Sequence, residues 1–81
     1  MKKYKNMANV YKKIGMRIKL HRVKMGLTQT ELAKKVGAGQ ATVNDWESGK
    51  KLPSLSKAYM LCEIFNVEMD FFDLKEKTIL V

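Results

Sequence analysis

The sequence predicts an all-α fold, and two observations support that prediction. From Gln29 to Ser48, apolar, small and turn residues are spaced as in two short helices joined by a tight turn. Gly37, Ala38 and Gly39 form the predicted turn, because glycine adopts a positive φ at low cost after a helix. Apolar residues also recur at three- and four-residue steps on both sides of this segment, which predicts further helices. A compact five-helix domain is therefore expected.

The segment before this pair predicts a first helix from Val10 to Met25 that stops at Gly26. Helical spacing gives it two apolar stripes. One is the expected core face and consists of Tyr11, Ile14, Ile18, His21 and Met25. The other lies opposite and consists of Met16, Leu20 and Val23. Because one face cannot bury both, the second stripe predicts either an interface or scattered apolar surface residues. The interface is expected to include also Phe71, Ile79, Leu80 and Val81.

Helices 2 and 3 are the pair that meets at the turn. Thr28 and Glu31 form a predicted capping box, in which the Thr28 hydroxyl accepts the Glu31 amide proton and the Glu31 side chain reaches back. Helix 3 is expected from Gln40 to Ser48, with Gly49 as its left-handed exit. The predicted inward residues of the two helices are Leu32, Ala33, Val36, Val43 and Trp46. The polar outward face of helix 3 consists of Gln40, Ala41, Asn44, Asp45 and Ser48.

Two further helices complete the predicted core. Ser54 is the expected cap of helix 4, which runs from Leu55 to about Phe65, and a short helix 5 is expected from about Met69 to Asp73. The predicted organisation is a basic N-terminal arm over residues 1–9, a helical domain over residues 10–73 and a C-terminal tail over residues 74–81.

Composition limits the function classes. The chain has 81 residues and a net charge of +8, and residues 1–25 carry nine Lys or Arg and no acid. This distribution is typical of a surface that binds a polyanion, although a solvated lysine-rich face has the same composition. A single cysteine forms no internal disulfide, and no segment is long and apolar enough for a signal peptide or a membrane span. A cytoplasmic location is expected.

Catalysis, metals and cofactors are not expected. The chain has one His and one Cys, and neither stands in a cluster of metal ligands or beside a residue that would complete a nucleophile and base pair. His21 is expected to be a partly buried, hydrogen-bonded residue, and Cys62 is expected in the core. The composition predicts a binding protein rather than an enzyme.

A family resemblance extends these observations. Residues Leu27 to Ser54 read LTQTELAKKVGAGQATVNDWESGKKLPS, and this segment resembles the helix-turn-helix core of the Cro and phage-repressor (XRE-type) family. Residues Ile14 to Arg22 are similar to the family's first helix, and residues Pro53 to Phe72 to its fourth and fifth helices. The resemblance implies a lambda-repressor-like DNA-binding domain in which helix 3 enters the major groove.

The resemblance also implies a repressor that binds an inverted repeat in double-stranded DNA as a homodimer. Short amides match adenine, and a methyl group contacts thymine. A carboxylate accepts from cytosine N4, is repelled by phosphates, or excludes sequences that offer it no donor. Base reading is accordingly expected from Gln40, Ala41, Asn44 and Asp45. Phosphate contacts are expected from Gln29, Arg17, Lys50 and Lys51. The resemblance implies a structural ion pair across helices 1 and 3 between Arg22 and Glu47.

Two other functions stay open on the sequence. An antitoxin would bind a toxin partner through its extra apolar surface and tail, and would bind DNA only for autoregulation. An adaptor without DNA binding is suggested by Ala41 and Asp45, because neither is an ordinary base reader on the outward face of helix 3. Activation in place of repression is also compatible with the sequence.

Overall fold

The computed structural model describes residues 7–72, and every regular element in that range is helical. The elements are α1 (Met7–Lys24), α2 (Gln29–Val36), α3 (Gln40–Ser48) and α4 (Leu55–Phe65), followed by one 3-10 turn at Met69–Phe72. The all-helical prediction is confirmed, and α2, α3 and α4 have the predicted bounds. The domain has four α-helices rather than five, however.

The expected fifth helix is a single 3-10 turn. The Phe71 N–H donates to the Glu68 carbonyl oxygen at 2.9 Å, which closes the turn three residues back instead of four. The Phe71 side chain is buried, and its ring lies 4.7 Å from that of His21 and 5.8 Å from that of Phe65, between centroids. Burial of the Phe71 ring holds this segment against the core. A single 3-10 turn is enough to place the ring there.

Helix α1 differs from its predicted bounds at both ends. It begins at Met7, three residues earlier than expected, and it ends at Lys24. The Met25 N–H bonds to the His21 carbonyl at 3.1 Å, but Gly26 then takes a φ of 73° and turns the chain away. Met25 is 47% exposed, so its assignment to the core face was wrong. Ile14 and Ile18 are buried as predicted.

The core lies where α1, α2, α3 and α4 converge. Its fully buried side chains are Ile18, Leu32, Val36, Val43 and Leu61, and Trp46 and Cys62 are also buried. The buried positions of Leu32, Ala33, Val36, Val43 and Trp46 confirm the predicted inward faces of α2 and α3. The apolar periodicity therefore predicts correctly which side of α2 and of α3 is buried.

Helices α1 and α3 cross with almost no space between them. A Cβ atom on Gly15 would meet the Trp46 carbonyl oxygen, and it would lie 2.8 Å from the Glu47 carbonyl oxygen. Only a residue without a side chain allows this approach. Gly15 thus sets the distance at which α3 packs against α1.

Local hydrogen bonds fix the ends of α2. The Glu31 N–H donates to Thr28 Oγ1 at 3.0 Å, and the Thr28 N–H donates to Glu31 Oε1 at 2.8 Å, so the predicted capping box is confirmed. These bonds hold the pKa of the Glu31 carboxyl below its usual value. Gly37 has a φ of 68°, and the Ala38 N–H donates to the Ala33 carbonyl at 2.9 Å. The turn between α2 and α3 is therefore closed by the residues predicted for it.

Candidate nucleic-acid interface

The outer face of α3 presents short polar side chains to solvent. Gln40, Ala41, Asn44 and Ser48 are exposed, and Asp45 is half-buried. Val43 and Trp46 are buried on the opposite side and hold the helix in its orientation. The predicted outward face is thus confirmed as a solvent-facing surface among residues 7–72.

Gln29, the first residue of α2, connects this face to its surroundings. Its Nε2 donates to Asn44 Oδ1 at 3.2 Å and to Glu47 Oε1 at 3.1 Å, and its Oε1 accepts from Gln40 Nε2 at 3.4 Å. One amide therefore bonds to both of the predicted adenine readers. These bonds restrict the rotamers of Gln40 and Asn44 before any ligand arrives.

The Arg22 and Glu47 side chains form a bidentate ion pair beneath this network. Arg22 Nε lies 2.6 Å from Glu47 Oε2, and Arg22 Nη2 lies 3.1 Å from Glu47 Oε1. Arg22 Nη1 also donates to the Leu27 carbonyl at 2.7 Å. The two side chains are only 11% and 3% exposed. Because Glu47 Oε1 also accepts from Gln29, the pair orients the residues that face solvent.

Asp45 has a cationic partner in the loop that follows α3. Its Oδ2 lies 3.7 Å from Lys51 Nζ, and its carbonyl oxygen accepts from the Lys50 and Lys51 N–H groups at 2.9 and 3.3 Å. The Lys51 side chain is 67% exposed, so this ion pair is loose and solvated. Lys50 and Lys51 both lie on the surface next to the exposed end of α3.

Arg17 lies apart from the other predicted phosphate contacts. Its Nη1 donates to the Phe71 carbonyl oxygen at 2.6 Å and so ties α1 to the 3-10 turn. Five residues separate Arg17 from Arg22, which is about 140° around a helix. Arg17 therefore does not join Gln29, Lys50 and Lys51 at the surface formed by α2 and α3.

The residues of the predicted apolar interface differ in how exposed they are. Met16, Leu20 and Val23 are exposed by 61, 56 and 56%. Phe71, in contrast, is only 9% exposed, so its prediction as an exposed interface residue was wrong. Its ring completes an aromatic cluster with His21 and Phe65 that closes the core. Ile79, Leu80 and Val81 lie outside the described residues.

Comparison with known proteins identifies the family. A helix-turn-helix family model matches residues 18–72, which is more than half of the chain. The chain belongs to the Cro and phage-repressor (XRE-type) helix-turn-helix transcriptional regulators. An uncharacterized HTH-type transcriptional regulator of Archaeoglobus fulgidus is 46% identical to this regulator over 54 residues, which cover 67% of this chain and 77% of the relative. The predicted resemblance is confirmed, and the regulator is a DNA-binding protein of this type.

Other relatives and solved structures have more specific names. The regulator is 36% identical over 58 residues to the antitoxin HipB of Escherichia coli O6:H1, covering 72% of this chain and 62% of HipB. The restriction-modification controller protein C.AhdI of Aeromonas hydrophila superposes with a TM-score of 0.70 at 28% identity, covering 80% of this chain and 97% of C.AhdI. The SOS-response transcriptional repressor LexA of Eubacterium rectale also superposes with a TM-score of 0.70, at 26% identity. The match covers 100% of this chain and 86% of the LexA chain.

Two residues that position helices of the regulator were not predicted from the sequence. Gly15 sets the distance between α1 and α3. The sequence signal for this role was a glycine inside a helical pattern, where glycine lowers helix stability by about 1 kcal/mol relative to alanine. Lys57 is the other, because its Nζ donates to the Val36 and Gly37 carbonyl oxygens at 2.7 and 3.2 Å. A cation at a helix C-terminus is favourable, so Lys57 joins α4 to the end of α2.

The single histidine has a structural position. His21 Nδ1–H donates to the Arg17 carbonyl at 3.1 Å, and its ring packs edge-on against Phe71, as expected of a partly buried histidine. Among residues 7–72, no three His, Cys, Asp or Glu side chains come close enough together to hold a metal ion. In the same range, no helix is both long and apolar enough to cross a bilayer.

Proposed function

We propose that the regulator represses transcription by binding an inverted repeat as a homodimer, with one α3 helix of each copy in a major groove. The observation that carries this proposal is the network in which Gln29 bonds to both Gln40 and Asn44. It holds two exposed amides one turn apart on a helix narrow enough to enter the groove. The two half-sites would be about 34 Å apart, one turn of B-DNA.

Each predicted reader has its own base chemistry. Gln40 and Asn44 would contact adenine N6 and N7, at about 1–3 kcal/mol of discrimination for each bidentate pair. Ala41 would contact a thymine methyl group. Asp45 would accept from cytosine N4, since its ion pair with Lys51 offsets part of its repulsion from nearby phosphates.

Phosphate contacts would fix the position of α3 on the duplex. Gln29 begins α2, where free backbone N–H groups and the positive end of the helix dipole attract a phosphate. Lys50 and Lys51 would contact the backbone beyond the other end of α3. Arg17 stays a proposed phosphate contact only through an exchange of its Phe71 carbonyl partner for a phosphate.

The dimer would form through α4. Leu55 and Tyr59 are 67 and 56% exposed and lie one turn apart, and Leu55 also lines an apolar cleft of about 240 Å³. A two-fold interface places the same surface of each copy against itself. On α1, self-pairing would set several lysines against lysines, whereas α4 carries a single exposed acid, Glu63, one turn beyond Tyr59. We therefore place the two-fold axis at α4 and assign Met16, Leu20 and Val23 to a different interface.

A DNA selection experiment followed by fluorescence anisotropy tests base reading. The selected consensus should contain an inverted repeat. Gln40→Ala and Asn44→Ala should each weaken binding by about fivefold to 150-fold per half-site and relax the preference at one base position of each half-site. Ser48→Ala, also on the exposed face but at the end of α3, is the matched control. Absence of any site preference at low salt would contradict the proposal and favour an adaptor that has lost DNA binding.

Light scattering after size exclusion tests the dimer. Tyr59→Glu should give a monomer and weaken operator binding, because two half-sites would then be bound by unlinked domains. Met25→Glu, at another exposed apolar residue, should leave the molar mass of the dimer unchanged. A wild-type chain that stays monomeric at high concentration would remove the dimer from the proposal while leaving base reading intact.

A second candidate function is that of an antitoxin that autoregulates its own operon. The similarity to HipB and the exposed apolar residues of α1 favour it. Purification of the tagged regulator from its native host separates the two functions. A small protein partner in stoichiometric amount would support the antitoxin, and a regulator that purifies alone on its operator would support the free-standing repressor.

A further inference from the structure

The side of α1 that faces away from the core combines apolar and basic residues in one surface, which we name the α1 outer face. Its centre is the stripe formed by Met16, Leu20 and Val23, which are all more than half exposed. Exposed lysines flank the stripe on both sides, at Lys12, Lys13, Lys19 and Lys24. The stripe extends over about two helical turns, roughly 10 Å.

Within residues 7–72, no acidic side chain pairs with a lysine of this face. Helix α1 contains no Asp or Glu along its whole length. Among residues 7–72, the ion pairs are those of Arg22 with Glu47 and Lys51 with Asp45, and neither involves a lysine of the α1 outer face. An apolar stripe between uncompensated cations is complementary to an apolar stripe between anions.

We propose that the α1 outer face binds an acidic amphipathic helix of a partner protein. Apolar residues of the partner at three- and four-residue spacing would cover Met16, Leu20 and Val23. Acidic residues on either side of its stripe would meet the flanking lysines. The apolar contacts provide the affinity, and the charges set the orientation and the rate of association.

The same observations argue against two other occupants. A second copy of this chain would bring the lysines of one α1 against those of the other, which is unfavourable in a two-fold arrangement. A membrane surface would favour a longer apolar face with aromatic residues. The stripe contains three aliphatic residues and no aromatic one.

The centre of the α1 outer face lies away from the helix proposed to contact DNA. Gly15 and Arg22 mark the side of α1 that packs on α3, through contacts to Trp46 and Glu47. Arg22 lies about 120° from Met16 around the helix. The centre of the α1 outer face, at Met16, Leu20 and Val23, therefore lies on a different side of α1 from α3. Lys12, at the edge of this face, packs beside Gly49 and so lies next to Lys50 and Lys51.

Anisotropy of a labelled synthetic peptide tests this inference on the full chain. The probe is a helical peptide with leucines at three- and four-residue spacing, flanked by glutamates, and a peptide of the same composition in shuffled order is its control. The ordered peptide should bind saturably, and the shuffled one should bind at least about tenfold more weakly. Met16→Gln combined with Leu20→Gln should weaken the ordered peptide about tenfold or more. Met25→Gln, the same change outside the stripe, should not.

A second pair of variants tests the charges. Lys13→Gln with Lys24→Gln should weaken the ordered peptide and reduce the dependence of binding on salt, whereas Lys34→Gln with Lys35→Gln on α2 removes the same charge without effect. Circular dichroism should show unchanged folding, because all of these side chains are exposed. Equal binding of the ordered and shuffled peptides would overturn the proposal. Capture by phosphatidylglycerol vesicles that is lost in the Met16 and Leu20 variant, without peptide binding, would assign the face to membranes instead.

Discussion

Glu47 is the residue at which the buried and exposed parts of the candidate site meet. Its Oε2 contacts Arg22, and its Oε1 is shared between Arg22 and Gln29. A carboxylate that is 3% exposed therefore fixes an amide that faces solvent. Stability and the proposed base reading are connected through this one side chain.

Removing one member of the ion pair should cost more than removing both. Arg22→Ala leaves the Glu47 carboxylate buried without its partner, and the free energy of unfolding should fall by about 3–5 kcal/mol. Arg22→Met combined with Glu47→Leu should lose less, since no unpaired charge remains buried. Chemical denaturation of both single variants and the double variant measures this difference. A double variant that loses the sum of the two single losses would show that the groups act independently.

The capping box should make stability depend on pH in the acid range. The hydrogen bonds to Thr28, and the nearby Lys34 and Lys35, lower the pKa of the Glu31 carboxyl in the folded state. Its contribution is thus present above the ordinary value of 4.5 and is lost as pH falls through the lower folded value. Glu31→Gln keeps a hydrogen-bond acceptor and should reduce this loss. Urea unfolding between neutral and acid pH, for both proteins, measures the effect. Identical pH profiles would contradict this role for Glu31.

At the residue scale, the sequence predicts interactions whose partners are close in the chain or belong to a recurrent pattern. Thr28 and Glu31 are three residues apart, so their capping box follows from spacing alone. The Arg22 and Glu47 pair follows from the family resemblance. The contacts of Arg17 to the Phe71 carbonyl and of Lys57 to the end of α2 were not predictable, because they depend on how distant segments pack.

At the level of the elements, the crossing of α1 and α3 depends on a single missing side chain. In an ordinary helix interior, Gly→Ala is stabilising by about 0.5–1 kcal/mol. Gly15→Ala should instead lower the free energy of unfolding by about 1–3 kcal/mol, because its Cβ would overlap backbone oxygens of α3 that cannot move aside alone. Thermal and chemical unfolding measure this change, and DNA affinity should fall as α3 is displaced.

Gly39→Ser is the matched control for added bulk at a glycine. Gly39 precedes α3 with a φ of −89° and makes no side-chain cap, and a Cβ there meets nothing within 4 Å. Serine can cap the α3 N–H groups, so the free energy of unfolding should stay equal or rise by a few tenths of a kcal/mol. A loss at Gly39 as large as the loss at Gly15 would show that contact with α3 is not the cause.

Element bounds were predictable where the sequence carries start and stop signals. Thr28, Gly37, Gly49 and Ser54 fix the ends of α2, α3 and α4, and these bounds agree with the structure. Helix α1 starts three residues earlier than expected. The 3-10 turn was predicted as a short fifth helix, because periodicity over five residues does not distinguish an α-helix from a 3-10 turn.

On the scale of the whole molecule, charge should determine how strongly salt weakens DNA binding. Lys50→Gln with Lys51→Gln would remove two proposed phosphate contacts from each copy and four from the dimer, so the slope of log affinity against log salt should become less steep by about four units. The loss should be similar for specific and nonspecific duplexes. Lys34→Gln with Lys35→Gln, which removes equal charge from α2, should change the slope less. Anisotropy titrations at several salt concentrations measure all three proteins, and equal slopes for the two variants would contradict specific phosphate contacts.

The position of Gln29 also has a consequence for how selectivity arises. In the free domain, the amides of Gln40 and Asn44 already have partners within the protein. If they contact bases as proposed, association is an exchange of partners, in which each internal bond that breaks must be replaced by one to DNA. A correct site replaces them at little net enthalpy, while an incorrect site leaves an amide without a partner. Discrimination between DNA sequences then comes from the internal hydrogen bonds that an incorrect site fails to replace. The release of counterions drives association with every site, correct or incorrect.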